Sequence, residues 1–278
     1  MKAGGAKVVV VGNEKGGSGK TTIAVHLAIG LSRLGIPVGS VDLDSHQQSL
    51  TRYLSNRRMW CEEHSVHLDM PEHRLIEPSS QDSRSAARRH DLQMLNDVLA
   101  ALAETCRVVI VDCPAGDGFL SRAAHERADV LVTPLNDSFV DLDPLLQFRP
   151  GSFEPLALGG YARMLWEVRE ERLNAGRVAF DWIVLRNRLS GLADQNKKDM
   201  TRVLEKIAPI MGFHLAEGLG ERIIFRRLFH QGLTLFDSDE PKTSIIANHS
   251  LQAARNELAD LIDVVCKVMD IKDDVIVA

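Results

Sequence analysis

Five short apolar runs punctuate the chain, at residues 8–11, 38–43, 108–111, 130–132 and 183–185. They are rich in β-branched residues and have the length of buried strands rather than helices. Between the first two, Ile23, Leu27, Leu31 and Leu34 recur at helical spacing, and the pattern stops at Gly35 with Pro37 just beyond. Helical patterns also cover 90–105, 161–175, 196–208 and 251–269. Alternation of strand and helix predicts right-handed crossovers, hence an α/β fold: a mostly parallel twisted β-sheet flanked by helices on both faces. In such sheets ligands bind at the carboxyl ends of the strands. Two polar stretches, 72–89 and 147–160, are broken by proline and glycine or dense in charge. They predict excursions from a single domain spanning 1–278 rather than linkers between two.

Composition narrows the function classes. The 278 residues are 45% hydrophobic and 26% charged, with 33 Lys plus Arg against 38 Asp plus Glu and a formal net charge of -5. That balance excludes a globally basic nucleic-acid coat, though not a local basic patch. No run of 18 apolar residues offers a membrane-spanning helix, and the apolar core of the opening MKAGGAKVVVVGN is too short for export. Cys61, Cys106, Cys113 and Cys266 are widely spaced with no C-x-x-C pair, so free thiols in a cytoplasmic protein are expected.

The strongest chemical signal is Gly12-Asn13-Glu14-Lys15-Gly16-Gly17-Ser18-Gly19-Lys20-Thr21-Thr22. It follows a four-valine strand and opens an amphipathic helix, the context a phosphate loop requires. Gly16, Gly17 and Gly19 let the backbone curl so that successive N–H groups face one anion, and the helix N-terminus adds its positive end. Lys20 then reaches the β- and γ-phosphates, and the Thr21 hydroxyl completes a magnesium shell. The strict G-x-x-x-x-G-K-[ST] pattern fails at its first position, where Glu14 stands. The form that fits is K-G-G-x-G-K-[ST]-[ST], with an additional lysine at Lys15. A second apolar run ends in Asp112, as a strand presenting a carboxylate to a metal-bound water does. The turn-rich Pro114-Ala115-Gly116-Asp117-Gly118 after it is able to sense the γ-phosphate.

The Lys15–Thr22 string resembles the ParA/MinD superfamily of dimerising ATPases. Longer strings resemble its MipZ family, whose members position the division plane: Val11–Gly17, Ile23–Leu27, Pro134–Asp141, Asp181–Leu189 and Gly232–Leu235. The resemblance implies ATP or ADP with Mg2+ as ligands, held by Asn13, Glu14, Lys15, Gly16, Gly17, Ser18, Gly19, Lys20, Thr21 and Thr22. It implies a homodimer in which Lys15 crosses to the partner subunit's nucleotide, so that slow hydrolysis depends on dimerisation. Asp42 and Asp44, two residues apart, are expected on one face of a strand end. By resemblance Asp42 supports magnesium through water, with Thr21 and Asp112, while Asp44 activates the attacking water; capping a turn is the alternative for such carboxylates. Asn187 pairs with the adenine edge or caps a turn, and the residues leave both open. The implied partners are a ParB-like partitioning protein, the division protein FtsZ, whose assembly it would inhibit, and nonspecific DNA. A ParA-type role in chromosome or plasmid partitioning is the alternative, and nucleoid association would follow from DNA binding.

Other signals carry less. Candidate DNA contacts are Lys197, Lys198 and Arg202 on one helix and Arg222 and Arg226 further on, but Asp194 and Asp199 flank the lysine pair. Weak, salt-sensitive association is expected, against a merely solvated helix face. Cys61, His64, His67 and His73 are soft enough for zinc, yet lack paired cysteines and sit in a charged, loop-like context. In the last helix Leu251, Leu258, Leu261, Ile262, Val265 and Met269 share one side while the other is acidic. Anionic lipid repels such a face, so a core-packed closing helix and no membrane partner are expected. Redox relatives of the loop need clustered cysteines, a pattern that Cys113 and Cys266 do not supply.

Overall fold

In chain order the computed structural model contains β1 (Lys7–Val11), α1 (Lys20–Arg33), β2 (Val38–Asp42), α2 (Ser49–His64), β3 (Glu72–Leu75), α3 (Arg84–Thr105), β4 (Val108–Asp112), α4 (Phe119–His125) and β5 (Val130–Asn136). There follow α5 (Phe139–Leu142), β6 (Leu146–Phe148), β7 (Pro155–Leu158), α6 (Gly160–Asn174), β8 (Asp181–Asn187), α7 (Gln195–Met211), β9 (His214–Ala216), α8 (Ile224–Gln231), a 3-10 turn (Leu235–Asp239) and α9 (His249–Val268). The structure describes residues 5–81, 83–149, 151–152, 154–190, 195–243, 245 and 249–271; Asp194 of the sequence argument lies outside them.

Seven strands form one sheet in the order β3-β2-β4-β1-β5-β8-β9, and every pairing in it is parallel. Period-2 alternation splits the β1 valines between two apolar layers. Val9 and Val11 pack with Ile23, Leu27 and Leu31 of α1 and Leu258, Leu261 and Ile262 of α9. Val10 packs on the other face with Leu95 of α3, Leu165 of α6 and Leu204 of α7. Burying both faces explains why these strands read as unbroken apolar runs. At the closest approach of α1 and α9, a Cβ on Gly30 would lie 2.1 Å from Ile262 Cδ1. The apolar side of α9 is therefore core, and no helix among the described residues is long and apolar enough to cross a membrane.

Several elements depart from the sequence pattern for identifiable reasons. The stretch 72–89 is not an excursion: Glu72–Leu75 is the edge strand β3, with Ser40 opposite His73, and α3 starts at Arg84, six residues before the expected 90. An edge strand exposed on one side carries Glu, His and Arg where a central strand carries valine. The stretch 147–160 holds an antiparallel hairpin, β6–β7. β5 continues past Val132 through Pro134, because β1 pairs with it only as far as Val11 opposite Val132 while β8 follows it to Asn136. Proline is tolerated where the strand has a neighbour on one side only.

α2 was hidden by an arginine in its core stripe. Leu50, Tyr53, Leu54, Arg57 and Trp60 are its buried residues. Arg57 is bound by Asp237, 180 residues away, through Nη1–Oδ2 at 2.7 Å and Nη2–Oδ1 at 2.8 Å. Cys61 and His64 lie on this helix, with His64 stacked on Trp60, and not in a loop.

Candidate nucleotide site at the carboxyl edge of the sheet

Parallel register places the candidate residues at one edge. Val11 and Asp42 both pair with Asp112, so β1, β4 and β2 end side by side, with the glycine loop leaving β1 directly in front of the two carboxylates. The loop curls through positive φ at Gly17 (73°) and Gly19 (94°), a conformation that glycine adopts without steric cost. No side chain caps α1, which leaves the amides of its first turn for an anion. Asn13 holds the loop's entry: its buried amide donates to Pro134 O (2.7 Å), and its carbonyl accepts from Lys15 N (2.9 Å). The Lys15 carbonyl then accepts from Lys20 Nζ (2.9 Å) and the buried Ser18 hydroxyl (3.3 Å). Burial lowers the pKa of Lys20, against the pull of Asp112, Cys113 and Asp44. Lys15 itself is half-buried, and its ammonium takes no hydrogen bond or ion pair among the described residues.

Glu14, in place of the usual glycine, accepts from Gly116 N at its carbonyl (2.9 Å), fastening the 113–118 segment to the loop. Burial and the nearby charge of Asp117 raise its carboxyl pKa. Gly16 faces that segment too, its Cβ position 3.8 Å from the Ala115 side chain. Thr22 sits one turn into α1 and gives its carbonyl to His26 Nδ1 (2.7 Å).

The fit to magnesium rests on Asp112. Its Oδ2 accepts from Thr21 Oγ1 at 2.6 Å, while its Oδ1 is buried without a hydrogen-bond partner. Burial pushes this carboxyl up to about 8, with Asp42 and Asp44 adding to the rise and Thr21 and Lys20 opposing it. An uncompensated buried carboxylate oxygen beside a threonine hydroxyl is the donor set a hard divalent cation takes. Asp42, fully buried, is committed differently: Oδ1 accepts from Asp44 N (2.9 Å), and Oδ2 accepts from Thr51 N (3.0 Å) and Thr51 Oγ1 (2.9 Å). It caps the start of α2 across the 42–51 turn. Asp44 lies beyond the end of β2, not on its face, and its Oδ1 accepts from Gln47 N (2.9 Å). Its carboxylate is half-exposed, where that of Asp42 is fully buried. Thr51, which no pattern in the sequence marks, is bound in turn by His73 Nε2 at 3.0 Å, with Ser40 Oγ at Nδ1 (2.9 Å).

Asn187 makes the contacts of a turn cap. Its Nδ2 donates to Ser18 O (2.8 Å), and its Oδ1 accepts from Arg188 N (2.9 Å), stabilising Arg188 at φ 55°. These bonds set its amide against the backbone of the phosphate loop. Beside it a groove of about 730 Å³ runs from Gly19, Thr22 and Arg188 to Arg222, Phe225 and Phe229. Arg222, nominated for DNA, walls this groove in a two-pronged ion pair with Glu257 of α9 (2.5 and 2.8 Å). Of the other nominated cations, the mostly exposed Arg226 and Arg202 lie 3.8 Å from Glu221 and 3.1 Å from Asp199, and Lys197 Nζ donates to Ser190 O (3.1 Å). Lys198 is exposed on the same helix. A paired arginine has less charge to offer a phosphate, so the patch is weaker than its residue count.

A family model described as "ATPase MipZ" matches residues 7–267, from the first strand to the end of α9. The chain belongs to the ATPase MipZ family. An uncharacterised ATP-binding protein of Methanocaldococcus jannaschii is 28% identical over 152 residues, 51% of this MipZ-family chain and 57% of that protein. The chain spans about half the length of the curated relatives it matches. Among solved structures, the ATP complex of a Cyanothece McdA variant superposes with a TM-score of 0.64 at 18% identity, over 98% of this chain and 99% of that one. The septum site-determining protein MinD of Pyrococcus horikoshii, complexed with Mg-ADP, gives 0.59 at 17% identity, over 97% and 99%. At such identities these two show that the MipZ-family fold is shared with McdA and MinD.

Proposed function

We propose that this chain is a slow ATPase that switches between monomer and ATP-bound dimer and positions the division plane by inhibiting FtsZ assembly. The observation that carries the reading is the buried, unpartnered Asp112 Oδ1 beside the Thr21 hydroxyl and Lys20, at the mouth of a loop whose curl offers amides to a triphosphate. Thr21 and Asp112 would hold Mg2+, with Asp42 behind them, and the ion would supply charge neutralisation at the β- and γ-phosphates.

Within that site each side chain has a task. Lys20 leaves the Lys15 carbonyl to bind the β- and γ-phosphates, and the amides of the α1 first turn orient them. The Arg222–Phe229 groove takes the nucleoside, with Asn187 bracing Ser18 and Gly19 beneath it. Asp44, its carboxylate held by the Gln47 amide, accepts a proton from the attacking water. Lys15, with no acidic partner among the described residues, is available to a second subunit's phosphates, which makes turnover depend on association. DNA contact through the residual basic surface is weak and salt-sensitive, and a ParB-like protein is the family's expected local recruiter.

Size-exclusion chromatography with light scattering tests the switch. A non-hydrolysable ATP analogue with Mg2+ should give twice the 30.8 kDa monomer mass, and ADP should give the monomer. A monomer in both states refutes it. Sedimentation of FtsZ polymers with and without the ATP-bound form then separates division control from ParA-type partitioning of DNA cargo, in which FtsZ is unaffected.

A further inference from the structure

Behind the phosphate loop lies a buried hydrogen-bonded chain that binding and hydrolysis, as described, do not use. His125 is 1% exposed, with Nδ1 2.7 Å from Ser121 O and Nε2 2.9 Å from the Tyr161 hydroxyl. A carbonyl only accepts, so Nδ1 carries the ring proton. Burial keeps the imidazole neutral, its pKa lowered to about 4, so Nε2 accepts from Tyr161 O–H. At the other end, Trp182 Nε1–H donates to Thr133 Oγ1 (3.0 Å), leaving the Thr133 hydroxyl proton for the Tyr161 oxygen (3.4 Å). Every donor points one way, from β8 through β5 and α6 to α4, and no member is left unsatisfied.

This chain touches the phosphate loop at Gly12. A Cβ there would fall 2.5 Å from His125 Nε2 and 2.9 Å from the Tyr161 oxygen, on top of the bond between them. Gly12 is not among the glycines with positive φ, so it is space for that bond, not backbone conformation, that requires glycine. The segment joining Asp112 to α4 is fastened to the loop in front, Gly116 N to Glu14 O, and the helix that follows it is set behind the loop, where its last residue, His125, lies against Gly12. Tyr161 sits in the first turn of α6, directly after the β6–β7 hairpin.

We propose that the His125–Tyr161 hydrogen bond is a positioning contact that sets segment 113–118 against the phosphate loop, and so governs how well the site distinguishes a triphosphate from a diphosphate. The inference rests on the nucleotide reading above. On that reading the 113–118 segment meets the γ-phosphate while a diphosphate stops at the loop, so the two nucleotides should respond differently when the bond is lost.

Calorimetric titration of the full chain with Mg-ADP and with a non-hydrolysable Mg-ATP analogue tests this on Tyr161→Phe, which keeps the ring and removes the donor. ADP affinity should stay within about threefold of the parent, and analogue affinity should fall at least tenfold. In His125→Gln the side-chain carbonyl can still accept from Tyr161, and the parent's ratio should return to within threefold; His125→Leu should lose it as Tyr161→Phe does. If Tyr161→Phe fails to fold, the Tyr161→Phe/His125→Leu pair, which removes both partners of the bond and leaves only the Thr133 hydroxyl proton without its acceptor, carries the same prediction. An unchanged ratio of the two affinities in any folded variant lacking the bond overturns the proposal. Equal loss of both nucleotides assigns the bond a merely structural role and overturns it as well. A parent chain that binds neither nucleotide refutes the underlying reading instead, and this one with it.

Discussion

Replacing Arg57 by methionine should destabilise the protein severely, and the structure gives the size of the effect. Both charges of the Arg57–Asp237 pair are 0% exposed, the guanidinium spans both carboxylate oxygens, and it also donates to Asp69 O and Gly232 O. Removing one partner leaves Asp237 buried with only its bonds from Thr234 N and Oγ1 (2.6 and 2.8 Å). Losing one member of a buried pair costs about 3–5 kcal/mol. For a chain of this size that lowers Tm by on the order of 10 °C. Arg57→Met/Asp237→Leu removes both charges and should recover most of this. It should fall short of the parent by about 1 kcal/mol, because the Thr234–Asp237 capping box goes with the carboxylate. Acid supplies a second arm. Burial pushes the Asp237 carboxyl up, but hydrogen bonds and charge from Arg57 outweigh it and hold the pKa below 3.8. A carboxyl depressed in the folded state stabilises it above the ordinary pKa and loses that contribution as pH falls through the folded value. Parent stability should therefore drop from about pH 5 downward past 3.8, and the double variant should show a shallower drop there. Urea denaturation followed by circular dichroism measures both. A loss under about 1 kcal/mol in Arg57→Met, or a double variant no better than the single, refutes the assignment.

Other outcomes follow from the site. Lys15→Ala should bind nucleotide within a few-fold of the parent yet lose turnover that rises more steeply than enzyme concentration; unreduced, linear turnover in a phosphate-release assay contradicts a role in trans. Asp44→Ala should accumulate a long-lived ATP-bound dimer, and a monomer elution profile with ATP counts against its part in hydrolysis. Gly19→Ala combines a φ of 94° with a Cβ 2.1 Å from Asn187 Nδ2. It should abolish measurable nucleotide binding by calorimetry, and retained binding would show that the loop takes up phosphate in another conformation.

Much of the fold was legible because the central strands are buried on both faces and so write themselves as apolar runs. The phosphate loop was legible because its glycines and lysines act locally, within a dozen residues. What the sequence concealed depends on distant partners. The α2 stripe is broken by Arg57, which becomes a core residue only once Asp237 is folded beside it. β3 carries Glu72, His73 and Arg74 because it has one neighbour, so no β-branched run announces it. Asp42 and Asp44, two residues apart, were expected on one face of a strand end, yet the strand ends between them, and each caps a different turn. Arg222 reads in sequence as a surface cation because its partner, Glu257 of the last helix, is 35 residues away. Gly12, to which the sequence assigned no task, owes its lack of a side chain to the His125–Tyr161 contact.

The most direct test of the central claim is the magnesium dependence of nucleotide binding to the Asp112 centre. In calorimetry with a non-hydrolysable ATP analogue, the parent chain should bind one nucleotide per subunit and bind it at least tenfold more weakly when the metal is chelated. Asp112→Asn should bind weakly whether or not magnesium is present. Absence of heat with the parent in magnesium, or a parent indifferent to chelation, would contradict the account.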